Sequence, residues 1–566
     1  MPNKATLKQL FTAGLINGGI IIFLGLVGMI ETFSQRDIVT GTVTMGFLLL
    51  FLPYFIFGYS TAKKGTDQSF KSVLFAGGFT GLVAGFTSAL LPFFGHFINI
   101  RDMFMNASPT LYSTLNFGQG IYLGGFILTL VAGIIGALGA VSLVIPQNIR
   151  NALLQAVVWT VLLGLMRDLL TVMIARWGIF TFLFKWLFAT KGLSIIGTIF
   201  VFILVGLVSY FRPEKKQPDT DPIKVVLTKK QKNVRLIKLL AAVILMLFLP
   251  QILGIYFSEI LDNVGIYILM GLGLNIVIGF AGLLDLGYVA FFAIGAYVVG
   301  VLTSPEMGVT QITFWQALPF ALLASVTAGV ILGLPVLKMR GDYLAIVTLG
   351  FGEIIRLLSL SDWLRPYLGG TQGIQRIARP FIGTLELKTQ GQLYYLIVAA
   401  ILVAGFIAFR LKDSHMGRSW MALREDEDVA QAMGINLVAT KLTAFATGAF
   451  FAGLAGAIFA AKLSSAYPQS FNLFVSINVL CLIIVGGMGS IPGVFVGALV
   501  LMGSPELLRE FAEYRYLVYG AVLVVMMLVR PEGLWPEARR KLELHDSIDP
   551  DSLKKDIPTI TENPVG

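Results

Sequence analysis

The sequence has one cysteine, three histidines and little charge. Cys481 lies inside an apolar run, so an intrachain disulfide is excluded. His96, His415 and His545 are scattered and form no ligand cluster, so no metal centre is expected. Charged residues make up 13% of the 566, against about 25% in soluble domains. No G-x-x-x-x-G-K-[ST] phosphate loop occurs anywhere, so the chain has no nucleotide-hydrolysing motif of its own. No clustered His, Asp and Glu suggests an enzyme, and no cofactor is expected.

Apolar residues are abundant. They make up 56% of the chain, with 61 glycines and 43 phenylalanines, and the mean hydropathy is +0.81. Such a chain could not keep a soluble surface wet, and its glycines suit close helix contact in lipid. The net charge of +10 comes from Lys and Arg gathered in short loops between apolar runs. That pattern marks cytoplasmic loops rather than a nucleic-acid surface, and no nucleic-acid partner is expected.

A helix needs about 20 apolar residues to cross the hydrocarbon. Candidate spans fall at roughly 10–31, 40–60, 73–96, 118–146, 152–175 and 192–211, then 237–257, 262–280, 283–303, 314–337, 343–360 and 391–410. Four more follow at roughly 441–462, 475–487, 490–503 and 515–531. The expected fold is an all-α polytopic transmembrane helical bundle of roughly sixteen spans, about six plus ten. The runs at 475–487 and 490–503 are short, as broken or re-entrant helices are. The start of the chain has lysines but no cleavage pattern, so it reads as an uncleaved first span.

Residues 212–236 form a basic linker, with nine Lys/Arg against three acids between Arg212 and Lys238. This divides an N-terminal membrane unit, 1–211, from a C-terminal unit, 237–536; a polar tail, 537–566, is expected to be disordered. Lys/Arg placement puts both termini in the cytoplasm, and residues 361–390, carrying Arg365, Arg376, Arg379 and Lys388, dissent by falling on the predicted outside.

The break at 412–440 is too polar for lipid. Asp426 is placed to cap a short helix whose Val429, Ala430, Ala432 and Met433 share an arc, and Gly434 is placed to stop it. Periodicity leaves two readings open: a docking helix held between two spans, or an ordinary solvated loop. Gly489, Gly493 and Gly497 stand four apart in an apolar run, which is helix-packing spacing. Polar residues inside apolar runs are pathway candidates: Asn275, Asp285, Tyr288, Glu353, Arg356 and Asn478. Glu353 and Arg356 are three apart and suited to pair with each other. Asp285 sits near a span end, where solvation would explain it. Asn478 is placed to bond to a neighbouring helix. Arg167 and Asp168 are expected to neutralise each other.

Six ordered blocks carry a family resemblance. They are GLGLNIVIGFAGLLDLGYVAFFAIGAY (271–297), MRGDYLAIVTLGFGEIIRLL (339–358), GGTQGI (369–374), MGRSWMALREDEDVAQAMGIN (416–436), GGMGSIPGVFVGA (486–498) and RPEGLWP (530–536). Together they resemble the branched-chain amino acid permeases of the LivM type, which serve ATP-binding-cassette importers in the prokaryotic plasma (inner) membrane. The resemblance covers about half the chain and leaves the N-terminal unit unassigned. It implies two ABC ATPase subunits, a second LivH-like permease and an extracytoplasmic substrate-binding protein as partners. It also implies an ATPase-coupling role for Gly417, Arg418, Ala422, Arg424, Glu425, Asp426, Ala430, Gly434, Ile435 and Asn436. A secondary transporter is disfavoured, because few acids sit deep in the spans and the two halves show no convincing repeat.

Overall fold

The structure is a computed structural model that describes residues 4–64, 69–168, 170, 181–211, 246, 248–251, 254–307, 311–337, 339, 341–383, 385–507 and 514–536. The expected linker, 212–236, and tail, 537–566, lie outside the described residues, as does most of the expected span 237–257. The chain divides into two compact units, Met1–Val226 with Leu507–Tyr514, and Leu227–Glu506 with Arg515–Gly566.

It is a multi-pass membrane protein built of helices. Among the described residues, ten helices are long and apolar enough to cross a membrane, or eleven counting a sharply bent pair as one. Shorter apolar helices occupy three more of the expected runs: Ile195–Phe211, Val289–Thr303 and Tyr519–Val529.

In the first unit the helices are α1 (Lys4–Leu26), α2 (Met29–Ser34), α3 (Met45–Lys64), α4 (Phe70–Phe97), α5 (Pro109–Leu115), α6 (Ile121–Val141), α7 (Gln147–Leu165), α8 (Thr181–Leu187) and α9 (Ile195–Phe211). Glycine stripes set the packing. Gly77, Gly81 and Gly85 of α4 lie directly against the backbone or Cβ of Ala132, Gly136 and Ala140 on α6. Only small residues permit this approach, and in lipid such contact supplies what the hydrophobic effect does not. Asp168 accepts from Arg167 Nη1 at 2.5 Å, as expected, and also from Arg36 Nη1 at 2.5 Å.

The second unit begins its described core with α10 (Ile255–Leu274), which continues as a wide π-type turn, Asn275–Phe280. It goes on through α11 (Val289–Thr303), α12 (Phe314–Val336), α13 (Asp342–Leu360), α14 (Arg365–Leu368), α15 (Gln390–Lys412), α16 (His415–Glu425), α17 (Glu427–Ala432), α18 (Leu437–Leu463), α19 (Leu473–Gly486), α20 (Ile491–Leu507) and α21 (Arg515–Val529). The expected span 283–303 is corrected: its helix starts only at Val289, and residues 281–288 are not helical.

Side chains make that break tolerable. Gly282 turns the chain at φ +72°. Three of the freed backbone donors then find side-chain acceptors. Leu286 N–H donates to Thr348 Oγ1 at 3.0 Å, Gly287 N–H to Asp285 Oδ1 at 2.9 Å, and Val289 N–H to Ser476 Oγ at 2.9 Å. A side chain at Gly287 would overlap the Thr348 carbonyl, which explains the glycine there.

Helices α19 and α20 meet at 119°. Gly493 and Gly497 pack against Gly486 and Leu482 across the bend, as the spacing predicts. Gly489 does not join that stripe; it sits in the turn itself at φ +83°.

Residues 361–390 fold at the end of α15 opposite the 412–440 break. Strand Ile374–Gln375 pairs antiparallel with Ser465–Ala466, and Phe381–Ile382 pairs with Leu385–Glu386. Their basic groups have local partners. Arg379 Nε donates to Ser464 Oγ at 2.8 Å, Arg376 pairs with Glu306 at 3.4 Å, and Lys388 with Glu386 at 3.0 Å.

Thr348→Val removes the acceptor of the partly buried Leu286 N–H while keeping the shape. Leaving such a donor unpaired costs about 1–3 kcal/mol. The expected result is a lower thermal-unfolding midpoint in detergent; an unchanged midpoint would contradict the fastening role.

Candidate coupling elbow and broken helix

Three side-chain caps shape the 412–440 break. Ser414 Oγ accepts from Gly417 N–H at 3.2 Å and starts α16. Asp426 Oδ1 accepts from Asp428 and Val429 N–H, both at 2.9 Å, and starts α17. Gly434, at φ +86°, ends it, and Asn436 Oδ1 accepts from Ala439 N–H at 3.1 Å to start α18. Each cap satisfies donors that a helix start leaves orphaned. The segment is thus a folded elbow of two short helices rather than an open loop.

The elbow is anchored to the membrane helices. Trp420 is fully buried and its Nε1–H donates to the Thr440 carbonyl at 3.0 Å. Lys441, with its side chain 2% exposed, pairs with Glu427 at 2.6 Å and donates to the Leu337 carbonyl at 3.2 Å. That carbonyl lies just past α12, at the end of a helix where a cation is favoured. Arg424 Nη1 donates to the Gly279 carbonyl at 2.6 Å, inside the wide turn that leads into the broken segment. Its Nη2 lies 3.6 Å from Glu425.

Outward, the elbow presents an apolar knob. Val429 is 58% and Met433 78% exposed. The arc expected for Val429, Ala430, Ala432 and Met433 is split: Ala430 turns inward and the other three stay exposed. Of the expected coupling residues, Arg418, Glu425, Asp426, Gly434 and Asn436 are exposed, and Ala422, Arg424 and Ile435 are half-buried. Gly417 and Ala430 are buried. A groove of about 600 Å³ runs alongside, lined by Arg418, Trp420, Met433, Ile435, Asn436 and Thr443 among others.

The pathway candidates do not converge on one chamber. Asn275 is buried, and its Oδ1 accepts from Gly489 N–H at 2.8 Å, tying the wide turn to the α19–α20 bend. Tyr288 is buried and donates to the Gly448 carbonyl at 2.9 Å. Asp285 is not solvated as expected; it is fully buried, with Oδ2 lacking a partner. Asn478 does not make the expected bond through its Oδ1, which is buried and unpartnered. Arg356 Nε donates to both Glu353 oxygens, at 3.1 and 3.0 Å, so the i,i+3 pair forms.

Sequence reading passed over Lys441, Glu427, Thr348 and Ser476. Lys441 had a usable signal, an ionisable residue opening an apolar run. Thr348 and Ser476 had none, since their partners lie far away in the chain. Among the described residues, no group of three His, Cys, Asp or Glu side chains is placed to hold a metal ion.

Residues 256–527 match the family described as branched-chain amino acid transport system / permease component. Over that stretch, about half of the chain, the C-terminal unit is similar to permeases of this family. It is 40% identical over 282 residues to the high-affinity branched-chain amino acid transport system permease protein LivM of Salmonella typhimurium and of Escherichia coli. Each match covers 46% of this chain and 65% of the relative, so the chain spans about two thirds of the LivM proteins it matches. It is also 27% identical over 195 residues to the LivH permease of Salmonella typhimurium, covering 32% of this chain and 62% of LivH. No solved structure matches the chain.

Lys441→Met removes one side of a nearly enclosed ion pair. Breaking a buried pair from one side costs about 3 kcal/mol. The thermal midpoint in detergent is expected to fall by several degrees, whereas an unchanged midpoint would show that the pair does not anchor the elbow.

Proposed function

We propose that this chain is the membrane permease subunit of an ATP-driven importer for branched-chain or related amino acids. It lies in a prokaryotic plasma membrane with both termini cytoplasmic. It works with two separate ATPase subunits, a second LivH-like permease and an extracytoplasmic substrate-binding protein. The permease domain is residues 237–536; the N-terminal unit, 1–211, is an added membrane unit with no assigned part in transport.

One observation carries the reading. The capped elbow offers Val429 and Met433 outward and holds the Gly279 carbonyl inward through Arg424. A motor subunit gripping the knob would pull on the wide turn and hence on residues 281–288. Exposed Arg418, Glu425 and Asp426 around the knob suit partner choice and register. The missing phosphate loop fits hydrolysis on a separate subunit.

Two substitutions test the reading in the assembled transporter. Arg424→Glu places like charge against a carbonyl, and Gly434→Trp puts a bulky residue at a positive φ beside the knob. Each is expected to cut ATP-dependent amino acid uptake at least tenfold while the chain still inserts in the membrane. Undiminished uptake in both would overturn the coupling assignment. The purified chain alone is expected to show no ATP turnover, and measurable turnover would rule out a separate motor.

A further inference from the structure

A second feature of the permease domain lies away from the elbow. Beside the start of α11 is a cavity of about 180 Å³. Its apolar wall is Leu286, Val289, Leu349, Phe471 and Leu473, and Glu353 borders it. The Glu353 side chain is 41% exposed, so it stands at the edge rather than the floor. Arg356 is bound to it through both carboxylate oxygens, one helical turn along α13.

We propose that this cavity is a transient station for a zwitterionic amino acid with an aliphatic side chain. The inference rests on the amino acid reading given above and adds a site to it.

The chemistry of the edge matches both ends of the ligand. Glu353 offers acceptors for an ammonium group, and the Arg356 guanidinium offers a fork for a carboxylate. An arriving zwitterion exchanges the internal ion pair for two pairs of its own. No charge is left unpaired at any stage, which is the condition for handling charge within a membrane. The internal pair is partly exposed and spaced i,i+3 on one helix, so a ligand can reach both groups without unwinding α13.

The wall sets the side-chain class. An apolar cavity of about 150 Å³ is large enough to bind benzene, so this one has room for a branched four-carbon chain. It presents no polar side chain apart from Glu353.

Two of its walls also belong to the moving part. Leu286 and Val289 flank the end of the non-helical segment, where their backbone N–H groups donate to Thr348 and Ser476. A shift of that segment reshapes the cavity, so occupancy and the state of the broken helix are coupled. Release then needs no separate device.

The test uses the full-length chain in lipid nanodiscs, with L-leucine as probe and ligand-observed saturation-transfer NMR as readout. L-leucine is expected to give a signal. Isopentylamine, which lacks the carboxylate, and 4-methylpentanoate, which lacks the ammonium, are expected to bind at least tenfold more weakly. Leu349→Trp fills the cavity and is expected to abolish the signal. The double exchange Glu353→Arg with Arg356→Glu keeps an ion pair but inverts it, and is expected to weaken leucine at least tenfold. Absence of a leucine signal in the native chain would overturn the proposal. So would binding of either analogue as tight as that of L-leucine, a signal that survives Leu349→Trp, or native binding by the inverted pair, which would leave that pair a purely structural clamp. Chain carrying Gly434→Trp is expected to keep the leucine signal while losing uptake. Uptake that persists with no leucine binding would remove the station alone; leucine binding with no ATP-driven uptake in the assembled native transporter would remove the importer reading and keep the station.

Discussion

The second unit depends on keeping backbone hydrogen bonds made where a helix is interrupted inside a membrane. Lipid offers no water to an unpaired N–H, so a break survives only if protein supplies the partners. Residues 281–288 meet that demand in part with side chains. Thr348 comes from α13, Ser476 from α19, and Asp285 from the segment itself. Tyr288 then pins the end of the segment to α18. An interruption held by a few individual hydrogen bonds is also one that can be rearranged at modest cost.

The elbow stands at the other end of the same chain of contacts. Its shape comes from three polar caps, and its attachment from Trp420, Lys441 and Arg424. Of these, only Arg424 reaches the wide turn Asn275–Phe280. Turns of that type recur at functional sites because their register is less tightly fixed than an α-helix. Asn275 bonds the same turn to the α19–α20 bend. Movement at Gly279 is therefore felt in two directions, toward the broken segment and toward the bent pair.

Much of this was legible in the sequence, because its causes are local. Apolar run length gave the helices, and Asp426 and Gly434 marked the ends of α17 before any coordinates. The glycine spacing at 493 and 497 read correctly as packing. The late start of α11 was not legible, since the run 283–303 is apolar apart from Asp285 and its ends, and acceptors that release its backbone sit on α13 and α19. For the same reason Asp285 was misplaced: near a span end in sequence, it is enclosed once the break folds inward. Gly489 looked like one more stripe residue, but the 119° bend puts it in a turn. The inward direction of Arg424 needed the tertiary fold, because a loop arginine carries no mark of which side it faces.

Cysteine cross-linking in the assembled transporter is the most direct measurement. The native Cys481 is buried, so introduced thiols can be read against low background. Val429→Cys and Met433→Cys should each cross-link to an ATPase subunit with a short bismaleimide. Ile382→Cys, exposed at the opposite end of the helices, should not. Cross-links from position 382 to the ATPase, with none from 429 or 433, would contradict the elbow as the point where the motor takes hold.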